Sequence, residues 1–445
     1  MRSDLPTYTP EEVAKHRTKD TGIWVTYKNS VYDITEYATQ HPGGSKIMMA
    51  AGGSLEPYWE LYAVHKHPGI IGIAEKYRIG NIVEEKSESK GKNINDPYAN
   101  EPKRNPILIP SSQKPFNAEP PPLLLPEKFL TPNDLFFVRN HLPVPVVDPK
   151  SYKLEIGIGD KSKSKLTLND LKKKFKKVST TSVVQCAGNR RSEMTKIKTV
   201  KGLNWNNAAI SNAEWSGATL NDVLLASGID LDKCSHDHIN DILIAYEMNG
   251  ADIPRDHGYP IRVIIPGIVG ARQVKWLNRI YLSKEESTCH WQRKDYKGFN
   301  SSIDWHNVNF DTSVAIQQLP VTSAVCEPAD GSEIEPGSED VTVKGYAWSG
   351  GGRGIIRVDV SADGGKTWTT AELEPTNQNP YKTWAWTLWE ATVPLPENHG
   401  GKAEIVCKAI DVSYNVQPDS VEGIWNLRGC LSNAWHRIHI KIPAE

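Results

Sequence analysis

Hydrophobic and polar positions alternate over Gly22-Ile23-Trp24-Val25-Thr26-Tyr27 and again over Ser30-Val31-Tyr32-Asp33-Ile34. That pattern predicts two strands joined by a turn at Lys28-Asn29. Upstream, Thr9-Pro10-Glu11-Glu12-Val13 supplies an N-cap, a proline at the first helical position and an acidic first turn. Further on, Leu154-Glu155-Ile156 and Thr181-Ser182-Val183-Val184-Gln185 predict strands, and residues 166–171 lead into a lysine-rich helix. Its lysines Lys172, Lys173, Lys174, Lys176 and Lys177 read as a solvated face. Residues 261–267 predict a buried strand that ends in a loop. Beyond about residue 321, strands recur at 341–345, 355–360, 403–407 and 438–440, with a hairpin turn at Asp363-Gly364-Gly365. Short strands at this spacing predict an immunoglobulin-type β-sandwich.

A chain of 445 residues is too long for one ordinary core and predicts two to four domains, at roughly 100–200 residues each. Residues 1–85 form a small block that a bound cofactor would help to stabilise. Residues 86–104 are polar and charged, and nine prolines follow between Pro97 and Pro126. Residues 86–126 therefore read as a flexible linker that stiffens toward the next domain. Residues 127–320 form a mixed α+β block, and 321–445 the sandwich. The predicted class is multidomain α+β.

The charge balance excludes some partners. Fifty-two basic against fifty-three acidic side chains give no basic patch for nucleic acid or anionic membrane. No apolar run is long enough for a spanning helix. The opening MRSDLPTYTP has neither an apolar signal core nor an arginine-rich leader, so the expectation is either a cytosolic chain or one whose leader has been removed. Six cysteines, with no Cys-x-x-Cys pair, are too sparse for a disulfide scaffold or a zinc ribbon.

Two constellations carry candidate chemistry. His41-Pro42-Gly43-Gly44 places a histidine at a sharp turn, and His65 follows across the apolar stretch Ile47-Met48-Met49-Ala50-Ala51. Two neutral imidazoles across an apolar slot can ligate a haem iron from both sides, leaving a centre that carries electrons. The competing reading makes His41 a turn residue and His65 a surface histidine; His67, followed by Pro68, is a rival ligand. The second constellation is Cys186, at the end of a β-branched strand and followed by Ala187-Gly188-Asn189-Arg190-Arg191. Arg190 and Arg191 would favour its thiolate. Nucleophile, soft-metal ligand and buried hydrophobe all remain open for it, the last being expected of the other five cysteines. No histidine base is nearby in sequence, and the arginines suit a soft metal with an anionic partner. Arg139, Lys201, His257, Arg262, Lys275 and Arg428 lie in loops where guanidinium forks or ammonium groups could hold a small oxyanion. Taken singly, each also fits a surface salt bridge.

The histidine motif resembles cytochrome b5 over residues 5–84. Phe-Phe-Val-Arg-Asn-His at 136–141, Cys-Ala-Gly-Asn-Arg-Arg-Ser-Glu-Met at 186–194, Pro-Arg-Asp-His-Gly-Tyr-Pro at 254–260, Gly-Ala-Arg-Gln-Val-Lys-Trp-Leu at 270–277 and Trp-Asn-Leu-Arg-Gly at 425–429 resemble the animal sulfite oxidase family. The resemblance implies haem b ligated by His41 and His65, and molybdenum-molybdopterin with Cys186 as its protein ligand. It implies an anion pocket of Arg139, Arg191 and Arg428, with Lys201, Trp205 and Tyr296 around it. Phe137, Val138, Arg139, Asn140, His141, His257, Arg262, Gln273, Val274 and Lys275 would hold the pterin and its phosphate. The implied activity is oxidation of sulfite to sulfate, with cytochrome c as acceptor, in a homodimer of the mitochondrial intermembrane space.

One departure bears on this. After Asp232-Lys233-Cys234 the chain reaches Ile242 almost at once, where the family carries a further strand and loop with a cofactor-contacting aspartate. The alternative reading is a haem electron carrier with an inactive molybdenum domain. Nitrate reductase shares both modules but places its haem domain after the molybdenum domains and adds a flavin domain, so it fits less well.

Overall fold

The structure is a computed structural model. It describes residues 4–42, 44–61, 65, 68–83, 96–231 and 239–443. The chain divides into two units, Met1–Ala99 with Asn105–Ile107, and Asn100–Arg104 with Leu108–Glu445.

In the first unit the alternating segments are the antiparallel strands Gly22–Tyr27 and Ser30–Asp33. They lie inside a sheet completed by Arg78–Ile82 and three two-residue strands. Ile23, Val25, Tyr32 and Ile34 point to one core with Leu55 and Trp59. The helix Pro10–Val13 starts where its signals place it: Thr9 accepts from the Glu12 amide while the Glu12 carboxylate accepts from the Thr9 amide. That reciprocal cap satisfies donors that a helix start leaves open.

In the second unit, a five-stranded sheet runs Val178–Gln185, Ile210–Thr219, Leu243–Met248 and Ala251–Asp252, with Arg262–Ile264 also paired to Leu243–Met248. The predicted lysine-rich helix is only Leu168–Lys174, capped by Thr167 and Asp170. Lys176 and Lys177 lie beyond it. Lys172 pairs with Asp252, Lys174 with Asp170 and Lys177 with Glu247, so the expected solvated face is partly tied down.

The carboxy-terminal part holds two four-stranded antiparallel sheets. Thr387–Pro394 and His436–Lys441 alternate buried and exposed positions. The inward residues Val343, Val358, Val360, Ile405 and Ile440 close one core, each contributing about 1.5–3 kcal/mol by burial. The turn at Asp363 is a loop of residues 362–368 between Ile355–Ser361 and Thr369–Thr370, and the Asp363 carboxylate accepts from the Lys366 and Thr367 amides.

The Pro-rich stretch differs from its reading as linker. Ile109–Gln113 and Phe116–Glu119 form a sheet with Val138–Arg139, and Asn117, Ala118 and Glu119 are buried. Prolines interrupt the alternation that would have marked these strands, so they pass for linker on composition. Residues 86–95 of the predicted linker lie outside the described residues.

Candidate active site and haem ligands

In the first unit, the His41 and His65 ring centres stand 6.0 Å apart with planes 16° from parallel. A metal bonded to one nitrogen of each ring at about 2 Å, with each ring centre about 1 Å further out, calls for about this separation. Trp59 lies parallel to His65. Burial and the neighbouring His65 hold the His41 pKa below its ordinary value, which favours the neutral, ligating imidazole. The pair fits a haem iron. His67 lies outside the described residues.

In the second unit, Cys186 ends the strand Val178–Gln185 and opens on a cavity of about 480 Å³. Its thiol is free and buried, and its amide donates to the Ala209 carbonyl at 2.9 Å. Phe137, Arg139, Asn140, His141, His257, Arg262, Gln273, Val274, Lys275 and Tyr296 line the same cavity. Segments more than a hundred residues apart in sequence thus meet around one sulfur.

The electrostatics are specific. Arg139 donates to Asn117 Oδ1 at 3.0 Å, and its Nη2 lies 2.9 Å from His141 Nε2. Tyr296 Oη is 3.2 Å from the same nitrogen. Partial burial and the Arg139 charge pull His141 down to about 4, so near neutral pH it is uncharged and can accept from both. Burial, reinforced by Cys186, pushes the Tyr296 phenol well above its ordinary range, keeping it a donor. Lys275 Nζ donates to the Arg139 and Asp256 carbonyls at 2.8 Å and to Asn140 Oδ1 at 2.5 Å. Burial, with repulsion from Arg262, holds it well below the usual lysine range. Burial likewise lowers Arg262 and, to about 3, His257. Among the described residues, Arg262 Nε and Gln273 Oε1 are buried without hydrogen-bond partners. Buried cations and open polar atoms on one wall fit a polar, anionic cofactor such as molybdopterin.

The other predicted residues sit behind or beside this cavity. Arg191 is buried and donates to the Leu203, Arg428 and Gly429 carbonyls, with Cys430 Sγ 3.8 Å from its Nη2. Arg428 pairs with Asp295 at 2.7 Å. The Cys430 thiol, its pKa raised by burial, lies 3.8 Å from Arg191 Nη2 and 3.7 Å from the Arg428 carbonyl. Trp205 is fully buried in the same apolar cluster as Cys186. Lys201 is exposed, 5.4 Å over the Trp305 ring, which Arg428 also approaches.

Two expectations change. Arg190 does not serve Cys186: its guanidinium forms a two-pronged pair with Glu193 and donates to the Ser323 and Ala434 carbonyls. It fastens the central sheet to the sandwich. Cys289 is exposed and lines the cavity rather than packing in a core; Cys234 lies outside the described residues. The residues that sequence reasoning missed are Asn117, Asp256 and Arg272. Asp256 pairs with Arg104 and accepts from Asn140, and Arg272 lines the cavity near Tyr296. Asp256 and Arg272 stand inside the quoted motifs, where that position could have flagged them.

Glycines make room for Arg191. A Cβ at Gly188 would stand 2.5 Å from its Nη2, and one at Gly202 2.7 Å from its Cζ. The backbone at Gly188 has no positive φ, so alanine is conformationally allowed and the guanidinium must give way. Gly188→Ala is expected to leave the melting temperature within a few degrees of wild type. Sulfite KM should rise by about 10- to 100-fold. An unchanged KM in steady-state assays would show that the Arg191 position does not matter.

Three family descriptions match the chain. "Cytochrome b5-like Heme/Steroid binding domain" covers residues 9–83. "Oxidoreductase molybdopterin binding domain" covers 141–240 and 226–291, and "Mo-co oxidoreductase dimerisation domain" covers 313–443. The mitochondrial sulfite oxidase of Mus musculus is 51% identical over 463 aligned residues, spanning 98% of this chain and 84% of that protein. The sulfite oxidase of Gallus gallus is 50% identical, spanning 97% of this chain and 99% of that one. A nitrate reductase of Hordeum vulgare is 35% identical over 76% of this chain but only 42% of its own length. The crystal structure of the sulfane dehydrogenase SoxCD from Paracoccus pantotrophus shares the fold with a TM-score of 0.61 at 23% identity, covering 73% of this chain and 84% of that one. The 463 aligned positions with the mouse protein exceed this chain's 445 residues, so at least 18 lie opposite gaps. The shortening predicted between Cys234 and Ile242 takes in residues 235–238, which lie outside those described. With matches in family order along nearly its whole length, this chain belongs to the sulfite oxidase family of haem- and molybdopterin-containing oxidoreductases.

Proposed function

We propose that this protein oxidises sulfite to sulfate beside Cys186 and passes the electrons through the His41–His65 haem to cytochrome c. The observation that carries the reading is the meeting of one free thiol with Arg139 and Tyr296 in a cavity also lined by Arg262, Arg272 and Lys275. Bound there, molybdenum-molybdopterin supplies oxygen-atom transfer with its two electrons, and haem b supplies one-electron relay.

The residues of the chain have separable tasks. Cys186 Sγ, as thiolate, is the molybdenum ligand. Arg262 and Lys275, with His257 as an uncharged donor, take the anionic end of the pterin, and Phe137, Asn140, Gln273 and Val274 shape its bed; Val138, expected there, packs with Leu108 and Ala118. Arg139, Arg191 and Arg428 supply the positive charge that draws in sulfite and stabilises charge as it shifts. Asp295 holds the Arg428 fork in orientation. The proton on Tyr296 Oη stays there near neutral pH; it points to His141 Nε2 in this structure and would turn to an oxyanion that enters the site. His141, uncharged, keeps that phenol aimed. Trp205 closes the wall behind Cys186 against water, and Lys201 adds outer positive charge. The sandwich, which matches a dimerisation domain, pairs two chains. The names of the mammalian relatives support a mitochondrial location, and the proposed cytochrome c acceptor goes with the intermembrane space.

The test is sulfite mixed with purified protein without oxygen, followed by haem absorption. Haem reduction is the expected result. A second reading, an inactive molybdenum domain on a haem carrier, draws on the gaps opposite the mouse protein. Haem reduced by dithionite but not by sulfite, in protein free of molybdenum by mass spectrometry, would favour it.

A further inference from the structure

We propose that Glu119 is a positioning residue for the sulfite site, its carboxylate clamping the segment 203–209 that holds Arg191 and the backbone of Cys186. The proposal rests on the reading of this cavity as a sulfite site.

Glu119 ends the strand Phe116–Glu119 and is 2% exposed. Its Oε1 accepts from the Asn206 amide at 2.9 Å, and Oε2 accepts from the Ala208 amide at 3.2 Å. The carbonyls of the same segment then hold the site. Leu203 O receives Arg191 Nη1 at 2.8 Å. Trp205 O receives the Ser192 amide at 3.0 Å, and Ala209 O receives the Cys186 amide at 2.9 Å. Two residues earlier on the strand, Asn117 Oδ1 accepts from Arg139 Nη1 and from the Asn140 amide. One strand therefore braces both the Arg139 side and the Arg191 side of the cavity.

The chemistry of the clamp is unusual for a purely structural contact. No charged group contributes to the Glu119 shift: burial raises its pKa to about 7, opposed only by hydrogen bonds from Asn206 and Ala208. On the neighbouring strand it faces apolar Ile109. For a carboxyl whose pKa rises on folding, the stabilisation present below the ordinary value of 4.5 is lost as pH climbs to about 7. The ionised clamp is thus kept at some cost to the fold. Protonation puts hydrogen on one oxygen that faces an N–H donor, so one of the two bonds weakens and the segment loosens.

The test compares wild type with Glu119→Gln and Glu119→Asp. In Glu119→Gln an amide NH2 meets one of the two backbone donors. Sulfite KM is expected to rise about tenfold at about pH 8.5 and to match wild type at about pH 5.5, with kcat within about twofold. Sulfite itself gains a proton near neutrality in both proteins, so the ratio of KM values is the readout. Glu119→Asp, which keeps the charge, should restore part of the pH-dependent ratio. Haem spectrum and molybdenum content should not change. A second readout needs no turnover: amide exchange of the 203–209 peptide, corrected against one from Lys402–Asp411. Protection should fall in wild type as pH drops through about 7, and be low and flat in Glu119→Gln. A KM ratio of one at every pH, or loss of kcat and molybdenum with KM unchanged, overturns the proposal. If Glu119→Gln does not fold, Glu119→Asp and wild-type exchange decide it. If wild type does not oxidise sulfite, the reading of the cavity fails, while the exchange data still judge the clamp.

Discussion

Replacing Cys186 with serine is expected to abolish sulfite turnover while leaving the haem spectrum unchanged. The substitution changes one atom in a site that is 7% exposed and packed among Phe136, Trp205 and Ala209, so the fold should stand. What is lost is softness: a cysteine sulfur is a soft ligand that gives up its proton to a bound metal, whereas a serine hydroxyl is a hard and far weaker acid. A drop in kcat of about a hundredfold or more is expected, equivalent to about 2.7 kcal/mol of barrier. Steady-state sulfite oxidation and molybdenum content measure it. The haem serves as internal control, because both of its proposed ligands, His41 and His65, belong to the other unit. Turnover above about a tenth of wild type would remove Cys186 from its proposed role.

The parts of this site legible in the sequence share one property: local pattern announces them. His41 stands in a motif with two glycines and a proline, and His65 follows across an apolar stretch. Cys186 ends a strand visible from its own β-branched residues, with small residues beyond it. The sandwich strands alternate strictly enough to show at single-residue level, as His436–Lys441 does. Strand pairs such as Gly22–Tyr27 with Ser30–Asp33 were legible for the same reason.

What was not legible depends on long-range partners. Arg190 and Arg191 are adjacent and alike in sequence, yet they diverge. The backbone at Arg190 has φ +63°, which turns its side chain to Glu193 and to carbonyls more than 130 residues away. The neighbour instead threads into a slot built by Gly188, three residues back, and by Gly202 and Gly429 further along the chain. Nothing local separates the two. Asn117 and Glu119 were hidden by prolines, which signal a linker on composition while here they bound short strands pinned between larger elements. Asp256 stands inside a quoted motif, yet its partner Arg104 is 152 positions away, so the motif gives its place and not its role. Burial converts such residues from surface charges into determinants of the site, and burial is a property of the whole fold.

Replacing His65 with alanine is expected to cut electron delivery to cytochrome c without stopping sulfite oxidation itself. The iron would keep His41 alone, and a haem held on one side by a half-buried imidazole binds weakly. The haem absorption should shrink or lose its six-coordinate character, and sulfite-driven cytochrome c reduction should fall by about a hundredfold. Ferricyanide, a small one-electron oxidant that can reach the other unit directly, should still support sulfite oxidation within about twofold of wild type. This split follows from the separation of the two chemistries: His41 faces His65, which stacks on Trp59 of one core, and Cys186 belongs to another. His67→Ala is the matched control, because that histidine is the rival ligand two positions on. If His65→Ala keeps a wild-type haem spectrum and full cytochrome c reduction while His67→Ala loses both, the second ligand is His67. The 6.0 Å spacing of His41 and His65 would then be packing alone. The near-parallel rings at a separation that admits a metal, with His41 held neutral by burial and by its neighbour, argue for the opposite result.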